Sequence, residues 1–321
     1  MTRLINRLPV LPERPRDAHK GDFGRVLIVA GSPGMTGAGC MAAMAAQKAG
    51  AGLVTLALPA GLNAIAATKL TSAMTRLLPE AVEHTVGEEA AQYTLDHAGE
   101  FDIVAIGPGV GRAPQTQSAM RRLVAELPLP VVVDADALNA LAGDVSVLKE
   151  ASGPRLLTPH PGEMARLLGG GDTGLVQKDR VGVATAFALR HGIILALKGA
   201  GTVVTDGDRV YVNPSGNPGM ATGGTGDVLT GMAAGLLGQG LDPFPALQLA
   251  VFVHGLAGDM AAGAKGELSM TAEDVLDCVP QAFIACAKAG DGTDPAAVVA
   301  AIRSIGQTLN CHEEPAGRNA P

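Results

Sequence analysis

Six short and almost wholly apolar segments recur through most of the chain, and each is followed by a stretch long enough for a helix. They lie at residues 25–31, 52–59, 101–107, 130–136, 155–160 and 192–199. Strands that are apolar on both faces need cover on each side, which is typical of a parallel sheet. Helical patterns suited to the crossovers lie at 37–49, 114–126 and 176–191. We therefore predict an α/β fold with a mostly parallel sheet between helical layers.

The segment at 202–213 departs from this pattern. Two alternating runs in TVVTDGDRVYVN flank an Asp-Gly-Asp sequence at 206–208, which is typical of a tight hairpin turn. Farther on, helical patterns lie at 226–238, 245–262 and 271–288. Because no repeat or linker marks a boundary, we expect one domain over residues 1–321, with an antiparallel hairpin at one edge of its sheet.

The net charge and the hydropathy of the chain argue against nucleic acid and membrane as partners. The 321 residues carry a formal net charge of -7 at pH 7, which argues against a surface for nucleic-acid phosphates. No apolar run near the N-terminus indicates a signal peptide. The most apolar long stretch, 247–264, is interrupted by His254 and Asp259, which a bilayer core would penalise. We expect a cytoplasmic protein that binds neither nucleic acid nor membrane.

The cysteines agree with a reducing compartment. They are scattered, with no CxxC pair and no histidine at metal-ligand spacing, so neither a disulfide framework nor a zinc site is indicated. We expect buried thiols at Cys40, Cys278, Cys286 and Cys311.

The glycine-rich segment GNPGMATGGTGDVLTG, at 216–231, indicates an anion site at the start of a helix. The first turn of a helix has unpaired backbone N–H groups and the positive end of the helix dipole. Glycines leave these donors open to an incoming phosphate. The predicted phosphate cup consists of Gly223, Gly224, Thr225 and Gly226.

Asp227 follows this cup directly, although a carboxylate beside a phosphate site is electrostatically unfavourable. Such a placement is explained if the acid is a general base that deprotonates a substrate hydroxyl while the amides hold the phosphoryl group. Helix capping, which contributes about 1 kcal/mol, would explain the acid but not the glycines. We favour the general base.

Polar side chains also follow other predicted strands. His160 is fixed between two prolines at a strand end, a placement that suits substrate contact, and Glu163 is expected to interact with its own helix N-terminus. Lys198 precedes a Gly-Ala-Gly turn and is placed to reach a nucleotide phosphate. Asp134 and Asp136 either hold Mg2+ through water or cap a helix, and the sequence leaves both open.

Two familiar nucleotide motifs are absent. Gly37-Ala38-Gly39 imitates a dinucleotide fingerprint, but five residues separate it from its strand, and the next strand ends without an acid. The chain has no Gly-Lys dipeptide, which excludes a Walker A loop. The glycines of GPGVGR, at 107–112, suit either a tight turn or direct contact between backbone and ligand.

Six motifs stand in order along the chain: HKGDFGRVLIVAGS, GPGVG, VVDADALNAL, LTPHPGE, LKGAGTVV and GNPGMATGGTGDVLTG. Together they resemble the ADP/ATP-dependent NAD(P)H-hydrate dehydratases, which form the carboxyl-terminal half of YjeF-type proteins. The resemblance extends over residues 18–288, nearly the whole chain. The motifs PHPGE and GGTGD are specific for this family when they occur together, and each alone is a weak signal.

The resemblance implies a ribokinase-like fold and a repair activity on NADH or NADPH hydrated at the nicotinamide ring, NADHX or NADPHX. The ring hydroxyl of the S epimer would be phosphorylated, and phosphate would leave as the double bond forms. The bacterial members use ADP and yield AMP, and the eukaryotic members use ATP. We expect ADP here, with Mg2+ as cofactor and no side chain assigned as a metal ligand.

The resemblance also assigns site residues. The hydrate-binding positions fall on Ala38, Gly109 or Gly111, His160 and Asp227. The nucleotide-binding positions fall on Lys198, Gly199, Ala200, Gly201, Thr202 and Gly226.

Many relatives carry an epimerase domain before this region. Because only about twenty residues precede the first motif, we expect the epimerase on a separate chain, and we expect a homo-oligomer. Two other functions stay open. One is a ribokinase-like kinase of a small hydroxymethyl heterocycle, and the other is a non-catalytic nucleotide sensor.

Overall fold

A computed structural model describes residues 2–11, 13–290 and 292–310, with 304–310 described by backbone alone. The described residues form a single ten-stranded sheet. Its strands are β1 (Arg3–Leu4), β2 (Arg25–Val29), β3 (Leu53–Pro59), β4 (Met74–Leu78), β5 (Ile103–Ile106), β6 (Val131–Val133), β7 (Arg155–Leu157), β8 (Ile194–Leu197), β9 (Val203–Thr205) and β10 (Arg209–Val212).

Twelve α-helices occur in the described part of the chain. They are α1 (Thr36–Lys48), α2 (Asn63–Lys69), α3 (Glu88–Asp96), α4 (Pro114–Glu126), α5 (Ala135–Leu141), α6 (Pro161–Leu167), α7 (Thr173–Lys178), α8 (Arg180–His191), α9 (Thr225–Gly238), α10 (Pro243–Lys265), α11 (Ala272–Ala289) and α12 (Pro295–Asn310).

The sheet is parallel from β8 across to β4, in the order β8-β7-β6-β5-β2-β3-β4. On its other side, β9 pairs antiparallel with both β8 and β10. This confirms the predicted hairpin. The two-residue β1 pairs parallel with β10 and lies outside the hairpin, so the hairpin is one strand in from the edge.

Helices cover both faces of the sheet, as the apolar strands require. In β2 the side chains alternate, with Val26 and Ile28 packing into one buried cluster and Leu27 and Val29 into the other. The first cluster takes in buried residues of α1, α9, α10 and α11, and the second takes in those of α3, α4, α5, α6 and α8. The predicted layered α/β architecture is therefore confirmed.

Three differences from the sequence prediction have physical causes. The predicted helix over 176–191 is broken at Asp179, whose side chain accepts a hydrogen bond from the Gly182 amide at the start of α8. Strand β4 was not predicted because it is a half-exposed edge strand without an apolar run. The helix α12 was not predicted either, and it packs on α10.

Helix α10 is the one helix of the described residues that is long and apolar enough to cross a membrane by length and composition. In its most apolar window 72% of the residues are buried inside the fold, so it is accounted for as a core helix. Cys40 and Cys286 are buried as predicted, and Cys278 is half-buried. Cys311 lies outside the described residues.

We predict that Gly231→Ala lowers the free energy of unfolding by about 1–3 kcal/mol, because the added Cβ would overlap the Ala42 carbonyl oxygen where α9 packs on α1. Gly263→Ala is the matched control, since an added Cβ there meets no atom within 4 Å. It should raise the stability of α10 by about 0.5–1 kcal/mol. Urea unfolding of both variants measures the difference, and equal stabilities would contradict the close packing of α1 on α9.

Candidate active site

The parallel strands bring distant loops to one edge of the sheet. The ends of neighbouring strands are joined by backbone hydrogen bonds, from Gly107 N to Val29 O, Asp134 N to Ile106 O, Thr158 N to Val133 O and Lys198 N to Pro159 O. Because the carboxyl ends of the strands form this edge, it is the place where an α/β sheet of this kind binds its ligand.

A buried ion pair lies at the centre of this edge. Lys198 Nζ donates to Asp134 Oδ1 at 2.7 Å, and Thr230 Oγ1 of α9 donates to Asp134 Oδ2 at 2.7 Å. Burial alone would raise the pKa of Asp134, but Lys198 and the hydroxyl hold it below its usual value. Burial likewise opposes the Lys198 ammonium, yet the Asp134 and Glu163 carboxylates keep its pKa above the usual value. Both groups of the pair are therefore charged.

The sequence left open whether Asp134 and Asp136 bind Mg2+ or cap a helix, and the structure answers part of this question. Asp134 precedes α5 but makes no capping hydrogen bond, so the capping interpretation is wrong for it. Asp136 instead contacts the glycine-rich loop after β5, accepting hydrogen bonds from Gly111 N at 3.0 Å and Arg112 Nε at 3.1 Å. Both carboxylates therefore fix neighbouring segments of the site.

The start of α9 has the open geometry expected of a phosphate cup. The residue before the helix, Gly224, has a φ of 97°, in the left-handed region that favours glycine, and no side chain caps the helix. The amides of Gly226 and Asp227 have no backbone acceptor among the described residues. A Cβ on Gly226 would lie 3.5 Å from Lys198 Nζ, so the cup faces the lysine directly. Gly223 lies in open space beside it.

Asp227 lies in the first turn of α9, half-buried, and near enough to Asp134, Lys198 and Asp136 to interact with their charges. Its carboxylate makes no hydrogen bond within the described part of the chain, which leaves the capping alternative without support. Burial raises the pKa of Asp227 to about 7, and the negative charges of Asp134 and Asp136 add to the effect while Lys198 opposes it. A carboxylate with this pKa is suited to accept a proton near neutral pH.

The motif after β7 is a capping box. Glu163 Oε2 accepts from the His160 amide at 2.8 Å, and His160 Nδ1 accepts from the Gly162 and Glu163 amides at 3.0 and 3.3 Å. This bears out the expectation that Glu163 interacts with its own helix N-terminus. Because burial, Lys198 and Arg166 lower the pKa of His160, its ring is neutral at pH 7, and Nε2 carries the proton.

The predicted hydrate-binding residues of the first two loops lie against each other. A Cβ on Gly109, where φ is 63°, would approach Ala38 Cβ to 3.1 Å. Ser32 Oγ donates to the Gly109 carbonyl at 2.8 Å and joins the loop after β2 to the loop after β5. Gly111 is linked to Asp136, as described above, and so borders the Asp227 side of the site.

The predicted nucleotide segment, 198–202, forms a tight turn between β8 and β9. Gly199 and Gly201 have φ values of 136° and 62°, and Thr202 Oγ1 donates to the Gly199 carbonyl at 3.0 Å. Ala200 lies at the tip of the turn. Arg180 of α8 was not predicted from any sequence pattern. Its Nη2 donates to the carbonyls of Leu197 and Lys198 at 2.8 and 3.2 Å and supports the turn.

Two polar residues of α10 hold the loop before α9. Asp259 accepts from Gly216 N and Asn217 Nδ2, both at 3.1 Å. His254 hydrogen-bonds to the Thr225 backbone, and burial lowers its pKa to about 4, so it is neutral. Neither residue was predicted to serve the site, although the interruption of an apolar stretch by His254 and Asp259 was the signal.

Comparison with known proteins agrees with this geometry. A family model described as NAD(P)H-hydrate dehydratase matches residues 26–281. The chain belongs to the NAD(P)H-hydrate dehydratase family. It is 52% identical over 271 residues to the bifunctional NAD(P)H-hydrate repair enzyme Nnr of Moorella thermoacetica, a match that covers 84% of this chain and 51% of that protein. The chain thus spans about half the length of the curated relatives it matches.

Solved structures of similar proteins share the fold. The ADP/ATP-dependent NAD(P)H-hydrate dehydratase of Bacillus subtilis, co-crystallised with ATP and Mg2+, has a TM-score of 0.73 at 31% identity, covering 85% of this chain and 94% of that one. A ribokinase-like superfamily protein of Enterococcus faecalis has a TM-score of 0.70 at 25% identity, over 87% of this chain and 94% of that one. The predicted ribokinase-like fold is therefore confirmed.

The raised pKa of Asp227 predicts a stability gain when its charge is removed. A carboxyl whose pKa is raised in the folded state contributes stability at low pH that is lost as the pH rises toward 7. The advantage in unfolding free energy of Asp227→Asn over the wild type should therefore grow by about 1–2 kcal/mol between about pH 5.5 and about pH 8.

Thermal unfolding at the two pH values measures this difference. Asp208→Asn, in the exposed hairpin turn, is the control and should shift the melting temperature equally at both. An Asp227→Asn advantage that does not depend on pH would contradict a raised pKa.

Proposed function

We propose that this chain catalyses the ADP-dependent dehydration of the S epimer of NADHX and NADPHX, giving NADH or NADPH with AMP and phosphate. The observation that carries the proposal is the juxtaposition of Asp227, a carboxyl with a pKa of about 7 and no hydrogen-bond partner among the described residues, with the open amides of a glycine-rich helix start. Family membership supports the substrate and the nucleotide.

In the proposed reaction Asp227 takes the proton of the ring hydroxyl. The hydroxyl oxygen attacks the terminal phosphorus of ADP, and the bond from that phosphorus to the oxygen of AMP breaks as the new P–O bond forms. The ring C–O bond then breaks, and phosphate leaves with the bonding electrons. The neighbouring ring carbon loses a proton, and the double bond of reduced nicotinamide is restored.

The remaining residues take binding roles in this proposal. Gly223, Gly224, Thr225 and Gly226 offer backbone donors to the transferred phosphoryl group, and Lys198 balances its charge. The turn from Gly199 through Ala200 and Gly201 to Thr202 holds the rest of the nucleotide. Ala38, Gly109, Gly111 and His160 line the side assigned to the hydrate.

Mg2+ is proposed as the cofactor, and the residues present fit it. The described residues contain no group of three side chains able to hold a metal. Mg2+ is commonly bound by one or two carboxylates together with phosphates and water. Asp134 has both carboxylate oxygens hydrogen-bonded, to Lys198 and Thr230, so Glu163, whose Oε2 lies 3.9 Å from Lys198 Nζ, is the carboxylate that would reach the ion through water. When bound, the ion would neutralise charge on the nucleotide phosphates.

An assay of nicotinamide recovery tests the function. The protein is incubated with purified S epimer of NADHX, Mg2+ and either ADP or ATP, and the absorbance of reduced nicotinamide is followed. We expect recovery with ADP, with AMP and phosphate as coproducts. No recovery with either nucleotide would overturn the proposal. A stable phosphate ester that accumulates from a small hydroxymethyl heterocycle would indicate the kinase instead.

Replacement of the base separates an enzyme from a nucleotide sensor. Asp227→Asn should lower kcat by about a hundredfold to ten-thousandfold, because the hydroxyl loses its proton acceptor. The affinity for ADP should change by less than about twofold, since the amides and Lys198 remain in place. Calorimetric titration with ADP beside the kinetic assay gives both values, and unchanged turnover would remove Asp227 from the mechanism.

The pKa of Asp227 also predicts the pH profile. The base must be ionised, so kcat/KM should rise with pH and level off above about 7. Burial raises the pKa of Glu163 to about 7 as well, so Glu163→Gln is the control. The Gln side chain can still accept the hydrogen bond from the His160 amide, so kcat/KM of this variant should rise with pH in the same way as that of the wild type. If the rise of kcat/KM with pH disappears in Glu163→Gln, the titrating group is Glu163 instead of Asp227.

Several other expectations remain predictions. The cytoplasmic location, the homo-oligomer and the single domain are among them.

A further inference from the structure

Two arginines border the hydrate side of the site and are held by one face of α5. Arg112 Nε donates to Asp136 Oδ1 at 3.1 Å, and Arg166 Nε donates to Asn139 Oδ1 at 3.0 Å. Asn139 Nδ2 in turn donates to Asp136 Oδ1 at 3.2 Å, so the four residues form one connected network. The network orients both guanidinium groups.

The bonding leaves the terminal nitrogens of both arginines free. Among the described residues, neither Arg112 nor Arg166 has a partner at its Nη atoms. Arg25 offers a contrast, since it binds Asp102 through Nε and Nη2 together. An arginine that only neutralises a carboxylate favours that two-point geometry. In the Asp136 network, by contrast, the Nη atoms of each guanidinium can still donate hydrogen bonds to a ligand.

Both guanidiniums lie near His160, on the side of the site assigned to the hydrate. Each lies near enough to His160 to contribute to lowering its pKa, together with burial and Lys198. Arg166 Nη1 lies 3.8 Å from the position of a Cβ on Gly162, over the first turn of α6. The Arg112 side chain is 62% exposed, whereas Asp136, which anchors it, is 14% exposed.

The charge of the site calls for such cations. Four carboxylates surround it, those of Asp134, Asp136, Glu163 and Asp227, and Lys198 is already paired with the first. A dinucleotide adds the negative charges of its phosphates. The glycine amides, Lys198 and Mg2+ are assigned to the nucleotide phosphates, so the phosphates of the dinucleotide still lack a cationic partner, which a guanidinium group can supply.

We propose that Arg112 and Arg166 bind a phosphate group of the dinucleotide substrate and fix the nicotinamide hydrate over Asp227. The inference rests on the proposed function and adds a substrate-phosphate subsite to it. Asp136 and Asn139 are positioning residues in this subsite, because they hold the arginines and do not touch the phosphate.

Steady-state kinetics of Arg112→Gln and Arg166→Gln test the subsite, with ADP and substrate varied separately. Each variant should raise KM for the substrate about tenfold or more, as expected for loss of a charged hydrogen bond. The kcat and the KM for ADP should change by less than about twofold. Arg166→Lys should recover part of the loss, because it keeps the charge without the forked geometry.

Arg190→Gln is the matched control. This exposed arginine lies in the last turn of α8, at the opposite end of the sheet from Lys198, and its replacement should leave both KM values unchanged. The wild-type KM for substrate should also rise more steeply with salt than that of either variant.

NADHX and NADPHX distinguish the phosphate that is bound. An equal rise in KM for both substrates assigns the pyrophosphate, and a rise confined to NADPHX assigns the 2′-phosphate. Unchanged substrate KM in both variants, or a rise in the KM for ADP alone, would overturn the inference. A wild-type protein without turnover would contradict the proposed function itself, which is a separate outcome.

Discussion

The site depends on one buried ion pair. Lys198 at the end of β8, Asp134 at the end of β6 and Thr230 of α9 meet through two hydrogen bonds of 2.7 Å. Removing one partner of such a pair typically costs about 3–5 kcal/mol, because the other charge stays buried. The same contact fixes the start of α9 against the sheet. The phosphate cup and the ion pair therefore form one structural unit.

This pair also sets the chemistry of its neighbour. Asp227 lies close enough to the charge of Asp134 that its own ionisation is opposed, and burial opposes it further. Lys198 counteracts only part of this effect because it is committed to Asp134. A carboxyl poised near neutral pH is the result. The folded state therefore opposes the charge of Asp227, and a pKa shifted in this way is common at catalytic sites.

Support for the site comes from regions that touch no proposed ligand. Helix α10 is largely apolar and buried, yet two of its polar residues, His254 and Asp259, hold the start of α9 and the loop before it. Arg180 supports the 198–202 turn in the same way from α8. These contacts from α8 and α10 thus restrict the backbone flexibility that the glycines allow. An open cup keeps its shape without side chains inside it.

The sequence by itself determined the layered parallel sheet, the hairpin and the position of the glycine cup, because apolar periodicity and glycine spacing are local properties. It also marked His160, Lys198 and Asp227 as chemically active types at strand or helix ends. Only the tertiary structure decided that Asp134 pairs with Lys198, 64 residues away, and that Arg180 supports the turn. Partners of this kind are chosen by strand order in the sheet, and strand order depends on packing that no local pattern records.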